Sequence, residues 1–153
     1  MTNIDMIDRR IIQELSQNAR LTTLQLSEAA GLSPTPIARR VRRLEDAGII
    51  RGYAALIDEA ALGFGVSVFV SVKLEKQVDD ALETFETAIA QFREVVDCWL
   101  MTGNRDYLLR VATRDLSEFE RFLVGRLTKV RGVASIESSI PLRRVKTGLA
   151  RTS

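Results

Sequence analysis

The stretch VSVFVSVKL, residues 66–74, alternates for nine positions without a break. A period of two belongs to a β-strand, because successive side chains point to opposite faces. One face would carry Val66, Val68, Val70, Val72 and Leu74, the other Ser67, Phe69, Ser71 and Lys73. The period then switches in a definite order. DALETFETAIAQFREV, residues 80–95, has helical spacing with Leu82, Phe85, Ile89 and Phe92 on one side. VVDCWLMTG and DYLLRVAT read as two strands joined by a tight turn at Gly103–Asn104. DLSEFERFLVGRLTKV is a second helix burying Phe119, Phe122, Leu123 and Leu127; Asp115 with Glu118 three residues on resembles a capping box. Gly132 breaks it, and VASIESSIPLRRV is the last strand. The order βαββαβ predicts a four-stranded antiparallel sheet with both helices on one face, the ferredoxin-like arrangement.

Helices on one face should leave the other polar. Here Val96, Cys98 and Leu100 alternate with Val95, Trp99 and Met101, and Tyr107, Leu109 and Val111 alternate with Leu108 and Ala112. Apolar residues on both faces imply a partner, most simply a second copy packed sheet on sheet. Cys98 reads as a small core residue, and Trp99 as core or interface.

The first third of the chain obeys another period. Asp5 to Gln17 carries apolar residues at Met6 or Ile7, Ile11 and Leu15, with Ile4 and Ile12 beside them, the stripe of an amphipathic helix. In LTTLQLSEAAGL, Thr22 or Thr23 can cap a short helix whose Leu24, Leu26 and Ala30 face inward. Gly31 supplies a tight turn. Ser33 then stands at an N-cap and Pro34 at the first helical position, where its missing N–H is no loss. Helix, glycine turn, helix is the helix-turn-helix order. On a wheel of about 100° per residue, Ile37, Val41 and Leu44 form the buried stripe of the second helix. Thr35, Arg39, Arg42, Arg43 and Asp46 point away from it and Arg40 sits on its flank; residues 38–44 contain no acid.

The second helix of such a pair enters the DNA major groove, N-terminal residues nearest the base edges. Ser33, Thr35 and Pro36 lie at that end, with Arg39 one turn in; the flanking Arg40, Arg42 and Arg43 would hold phosphates. Beyond Asp46–Ala47–Gly48, the segment IIRGYAALID looks extended, either as a short wing contributing Arg51 or as a plain connector. The expected boundaries are a DNA-binding domain over 1–58, a ferredoxin-like domain over 66–146 and a tail over 147–153, an α+β chain with DEAALGFG between the two folded parts.

The totals remove other classes. The chain has no histidine and one cysteine, so histidine triads, ordinary zinc sites and soft-metal sensing fall away. The lone Cys98 fits a reducing compartment. No apolar run approaches the length of a membrane span, and MTNIDMIDRR lacks the order of a signal peptide, so the cytoplasm is the expected location and no membrane partner is expected. Net charge is only +2, so any nucleic-acid signal is local. The only lysines among the 22 basic residues are Lys73, Lys76, Lys129 and Lys146. A bias towards arginine suits forked contacts to phosphate and guanine, and a GC-rich coding sequence would give the same bias. LEKQVDD, between the first strand and helix of the second domain, offers no phosphate cradle for an acyl-phosphate hydrolase.

LTTLQLSEAAGLSPTPIARRVRRLEDAGIIRGYAALID, joined to a βαββαβ domain containing TGNRDYLLRV and GVASIESSIPLRRVK, resembles the Lrp/AsnC family of feast/famine transcriptional regulators from Ile4 to Lys146. The resemblance implies a sequence-specific regulator that binds double-stranded DNA as a dimer and assembles further, to a tetramer or octamer. It also implies a free amino acid bound by the C-terminal domain at the contact between dimers, with no other cofactor. The family's effector motif falls on Gly103, Asp106 and Tyr107, with Asn104 inside it; Ser138 stands where many relatives have threonine. Under this reading Asp106, exposed at the edge where a turn meets a strand, accepts the ligand's ammonium, and backbone N–H groups near Gly103 hold its carboxylate. Two alternatives stay open: Asp106 as a turn residue only, and a C-terminal domain that serves assembly and binds no effector.

Overall fold

A computed structural model describes residues 3–148 and 150–152. Met1, Thr2 and, in the expected tail, Leu149 and Ser153 lie outside the described residues. The chain divides into two compact units: Met1–Leu56 with Val145–Ser153, and Ile57–Arg144.

The first unit is three helices, α1 (Met6–Gln17), α2 (Thr23–Ala30) and α3 (Pro34–Asp46). Each start has a local cause. Asp5 caps α1 in a reciprocal box with Asp8, and Thr22 caps α2 in the same way with Gln25. Gly31 ends α2 at φ 70°, the left-handed conformation that the turn requires. Ser33 precedes α3 in extended conformation but makes no capping hydrogen bond; Pro34 starts the helix. The core is Ile11, Leu15, Leu26, Ile37 and Leu44, with Val41 packed against it.

Within this chain no strand forms between α3 and the second unit, and the segment runs as a connector. Among the described residues of this unit there is no second strand to pair with it. Instead Ile49 and Ile50 donate back to the Leu44 carbonyl, and Tyr53 donates its hydroxyl to Glu45 Oε1 at 2.8 Å. Burial and that carboxylate push the Tyr53 phenol up to about 12.

The second unit is β1 (Val66–Leu74), α4 (Asp79–Ile89), β2 (Val95–Leu100), β3 (Tyr107–Thr113), α5 (Leu116–Gly125), a 3-10 turn (Leu127–Lys129) and β4 (Val133–Ser139). The sheet order is β2-β3-β1-β4, with the three pairings antiparallel. This is the ferredoxin-like βαββαβ arrangement. Val68, Val70, Val72, Leu109 and Val111 form one face and bury against Phe85, Ile89, Phe119, Phe122 and Leu127. Both helices are shorter than their periodicity predicts: α4 stops at Ile89 and α5 gives way to the 3-10 turn. Asp115 does cap α5, accepting from the Glu118 N–H at 2.7 Å, while Glu118 reaches the Arg114 N–H rather than that of the cap.

The β2–β3 register shifts between Val95 and Asp97. That bulge turns Val95 to the helix side opposite Val111 and Asp97 to the open side opposite Arg110, so the strict alternation expected over 95–101 breaks at Val96. Cys98 sits opposite Leu109 but is exposed on the edge strand, not core; partial desolvation of its sulfur and the nearby Glu86 push the thiol up to about 11. On the open side Arg110 is held by both oxygens of Glu59 and by Asp97, which pins the start of this unit to the sheet.

Phe85 is fully buried, with its ring centroid 4.5 Å from that of Tyr107. Phe85→Ala should destabilise this unit by about 3–5 kcal/mol in urea unfolding followed by Trp99 fluorescence, through lost transfer energy and the cavity left behind.

Candidate DNA-binding face and effector loop

The exposed face of α3 is the first site. Ser33, Thr35, Arg39, Arg42 and Arg43 are exposed, and Pro36 and Arg40 are half-buried. Burial of Ile37 and Leu44 sets the helix rotation, and that rotation turns Arg39 and Arg42 outward. Arg39, Arg40 and Arg43 line a shallow recess of about 280 Å³. The four arginines are not equivalent. Arg40 donates to Asp5 at 2.7 Å and to Asp8 at 2.8 Å, and Arg43 donates to the other oxygen of Asp8. These carboxylates on α1 raise the Arg40 pKa above its ordinary value. Asp5 is held below its own, first by the Asp8 N–H and then by Arg40. Arg39 and Arg42 make no ion pair among the described residues. The sequence wheel of α3 missed the acids because they belong to another helix.

The second site is the β2–β3 connection. It is longer than the expected two-residue turn: the Met101 N–H bonds the Asp106 carbonyl at 2.8 Å and closes a loop over 102–105. Gly103, at φ 100°, and Asn104 are exposed at its tip. The positive φ explains the glycine, since a Cβ there would be strained.

Asp106 departs from the picture of an exposed acceptor. It is 4% exposed, and its carboxylate accepts the Leu74 N–H at 2.7 Å and the amide of Gln77. Its own N–H donates to the Val72 carbonyl at 2.9 Å. The expectation failed because spacing places Asp106 at a turn but cannot show that the end of β1 arrives beside it. Tyr107 is also internal: its ring stacks on Phe85 and its hydroxyl donates to Glu86 at 2.7 Å, burial and that carboxylate raising the phenol well above its usual range.

Ser138 is exposed and pairs with Val70, four residues along β1 from Leu74. At about 3.3 Å per residue that is about 13 Å from the Asp106 cap, so one chain does not gather the motif into a single pocket. A recess of about 380 Å³ near the end of β1 is lined by Glu75, Lys76, Asp80, Thr84, Arg131 and Gly132 among others, and by none of the motif residues. Periodicity did not single out Gln77, Arg105 or Glu137. Arg105, beside Asp106, is ion-paired to Glu137 and so ties the loop to β4. Among the described residues no group of three potential ligands could hold a metal ion, and no helix is long and apolar enough to cross a membrane.

Comparison with known proteins settles the class. Residues 4–51 match a family described as winged helix-turn-helix DNA-binding, and residues 67–150 match the Lrp/AsnC ligand binding domain. The chain belongs to the Lrp/AsnC family. It is 46% identical to the Bkd operon transcriptional regulator of Pseudomonas aeruginosa over 95% of both chains. It is 38% identical to the leucine-responsive regulatory protein of Escherichia coli, covering 94% of this chain and 88% of that one. Among solved structures, a Neisseria meningitidis transcriptional regulator in complex with L-Met superimposes with TM-score 0.90 at 38% identity, covering 95% and 94% of the two chains. Escherichia coli AsnC does so with TM-score 0.85 at 26% identity, covering 97% and 99%. The chain is thus a DNA-binding transcriptional regulator with the family's ligand-binding domain, and not an enzyme.

Asp106→Ala leaves the buried Leu74 N–H and the Gln77 amide without their acceptor. The substitution should destabilise the second unit by about 1–3 kcal/mol, and Asp106→Asn, which keeps one acceptor oxygen, by less. Chemical denaturation of the three proteins measures this.

Proposed function

We propose that this regulator binds an operator through α3 as a dimer, and that a free amino acid bound in the C-terminal unit changes its assembly or its hold on DNA. The carrying observation is the outward face of α3, where Arg39 and Arg42 stand exposed behind Ser33 and Thr35. Arg39, nearer the helix N-terminus, reads base edges, and Arg42 and the free edge of Arg43 hold phosphates. Two copies pack through the open side of the sheet, where Trp99 and Met101 remain 44% and 42% exposed, and dimers join into tetramers or octamers. Two-fold symmetry then calls for an imperfect palindrome with half-sites about one DNA turn apart or a multiple of it. The place of action is the cytoplasm.

For the effector, support comes from the family domain and from the neighbour solved with L-Met. The motif residues close no pocket within one chain, which suits a site completed by a second copy. Gly103 and Asn104 offer exposed backbone to an α-carboxylate there, and Ser138 a hydroxyl. Asp106 acts on such a ligand by holding the loop to the end of β1. A second reading is favoured by that same internal satisfaction of Asp106 and Tyr107: a C-terminal unit that only assembles.

Arg39→Ala should reduce the preference for operator over random DNA by about 1–3 kcal/mol per half-site, read by competition binding; an unchanged preference would remove Arg39 from base recognition. The twenty amino acids tested by thermal shift and sedimentation should yield at least one that raises the melting temperature and changes the assembly size. Silence across that panel would favour the assembly-only reading.

A further inference from the structure

Asp8 has no solvent-exposed surface, yet it lies on α1 among the residues that face α3. A buried carboxylate requires compensation, and this one uses both oxygens. Oδ1 accepts Arg40 Nη1 at 2.8 Å. Oδ2 accepts the Asp5 N–H at 3.2 Å and a donor of Arg43. Arg40 Nη1 also reaches Asp5 Oδ2 at 2.7 Å. Two acids, the N-cap Asp5 and Asp8 of α1, therefore offset two of the four arginines on α3. Arg40 and Arg43 are three residues apart, on neighbouring turns of one side of the helix. Each bond opposes rotation of the helix about its axis, and two anchors along it also oppose pivoting about either one.

We propose that Asp8 is a positioning residue for DNA recognition: its buried carboxylate clamps α3 to α1 through Arg40 and Arg43, sets the angle at which Arg39 and Arg42 are presented, and withholds Arg40 from phosphate. The proposal rests on the reading that α3 faces DNA. A phosphate drawing Arg40 away would strip a fully buried carboxylate of a partner, and Arg40 is further held by Asp5. Arg43 differs: its side chain is 47% exposed and bound at one nitrogen, so its remaining donors stay free for a phosphate. The clamp thus sorts the run of arginines into Arg39 and Arg42, fully available, Arg43, shared, and Arg40, structural.

The salt dependence of binding counts the phosphates neutralised, so it separates these roles. The full-length protein and its variants would be titrated, over a series of salt concentrations, against a duplex that the wild type selects from a random pool and against calf-thymus DNA. Arg42→Gln should lower the salt slope by about one per recognition helix, and Arg40→Gln should leave the slope unchanged while reducing discrimination. Asp8→Asn removes the charge that both guanidinium groups share, freeing Arg43 and leaving Arg40 on Asp5 alone. It should steepen the slope, raise affinity for calf-thymus DNA and cut the selected-over-random ratio by about tenfold. Weaker binding of Asp8→Asn to both DNAs at an unchanged slope would reduce Asp8 to a stability residue and overturn the proposal. So would an Arg40→Gln slope as low as that of Arg42→Gln; this second arm stands even if Asp8→Asn fails to fold. If Arg39→Ala and Arg42→Gln alter neither ratio nor slope, the docking of α3 itself is overturned, whatever the clamp variants do.

Discussion

The second unit depends on β1 being buried from both sides. Its edges are hydrogen-bonded to β3 and β4, and its valine face is sealed by the two helices. A strand in that position can tolerate no slip, because a shift by one residue would exchange Val68, Val70 and Val72 for Phe69, Ser71 and Lys73. The register of β3 against β1 follows, and with it the place where the β2–β3 loop meets the end of β1. The Asp106 cap on Leu74 is a consequence of that meeting.

Each unit buries one carboxylate that ties distant segments together. Asp8 joins α1 to α3 through two arginines, and Asp106 joins the start of β3 to the end of β1 through a backbone N–H and Gln77. Removing one partner from such a set leaves a desolvated group without compensation, so these acids hold geometry. They also lie against the two places proposed above to meet DNA and effector, α3 and the β2–β3 loop. Architecture and function therefore share residues, and a substitution in either cluster must be read for stability as well as for binding.

The open side of the sheet carries a different kind of information. Arg110 there is satisfied within the chain by Glu59 and Asp97, whereas Trp99 and Met101 keep much of their surface. An unsatisfied charge would hinder a closely packed partner; a neutralised one beside an aromatic ring does not. That pattern supports the second copy proposed for this surface.

The element order was legible in the sequence because apolar periodicity is a local property. VSVFVSVKL can bury one face only as a strand, and Gly31, Ser33 and Pro34 can break and restart a helix without help from elsewhere. The outward direction of Arg39 and Arg42 was legible for the same reason, since Ile37 and Leu44 fix the buried side of their own helix. What lay beyond reach depended on residues far apart in the chain. The capture of Arg40 by Asp5 and Asp8 spans more than thirty positions, as does the bond from Leu74 to Asp106. The break in alternation at Val96 came from pairing with β3. Periodicity determines which way a side chain points from its own element; only packing decides which charges meet, because the energy of an ion pair depends on distance and burial in space, not on separation along the chain.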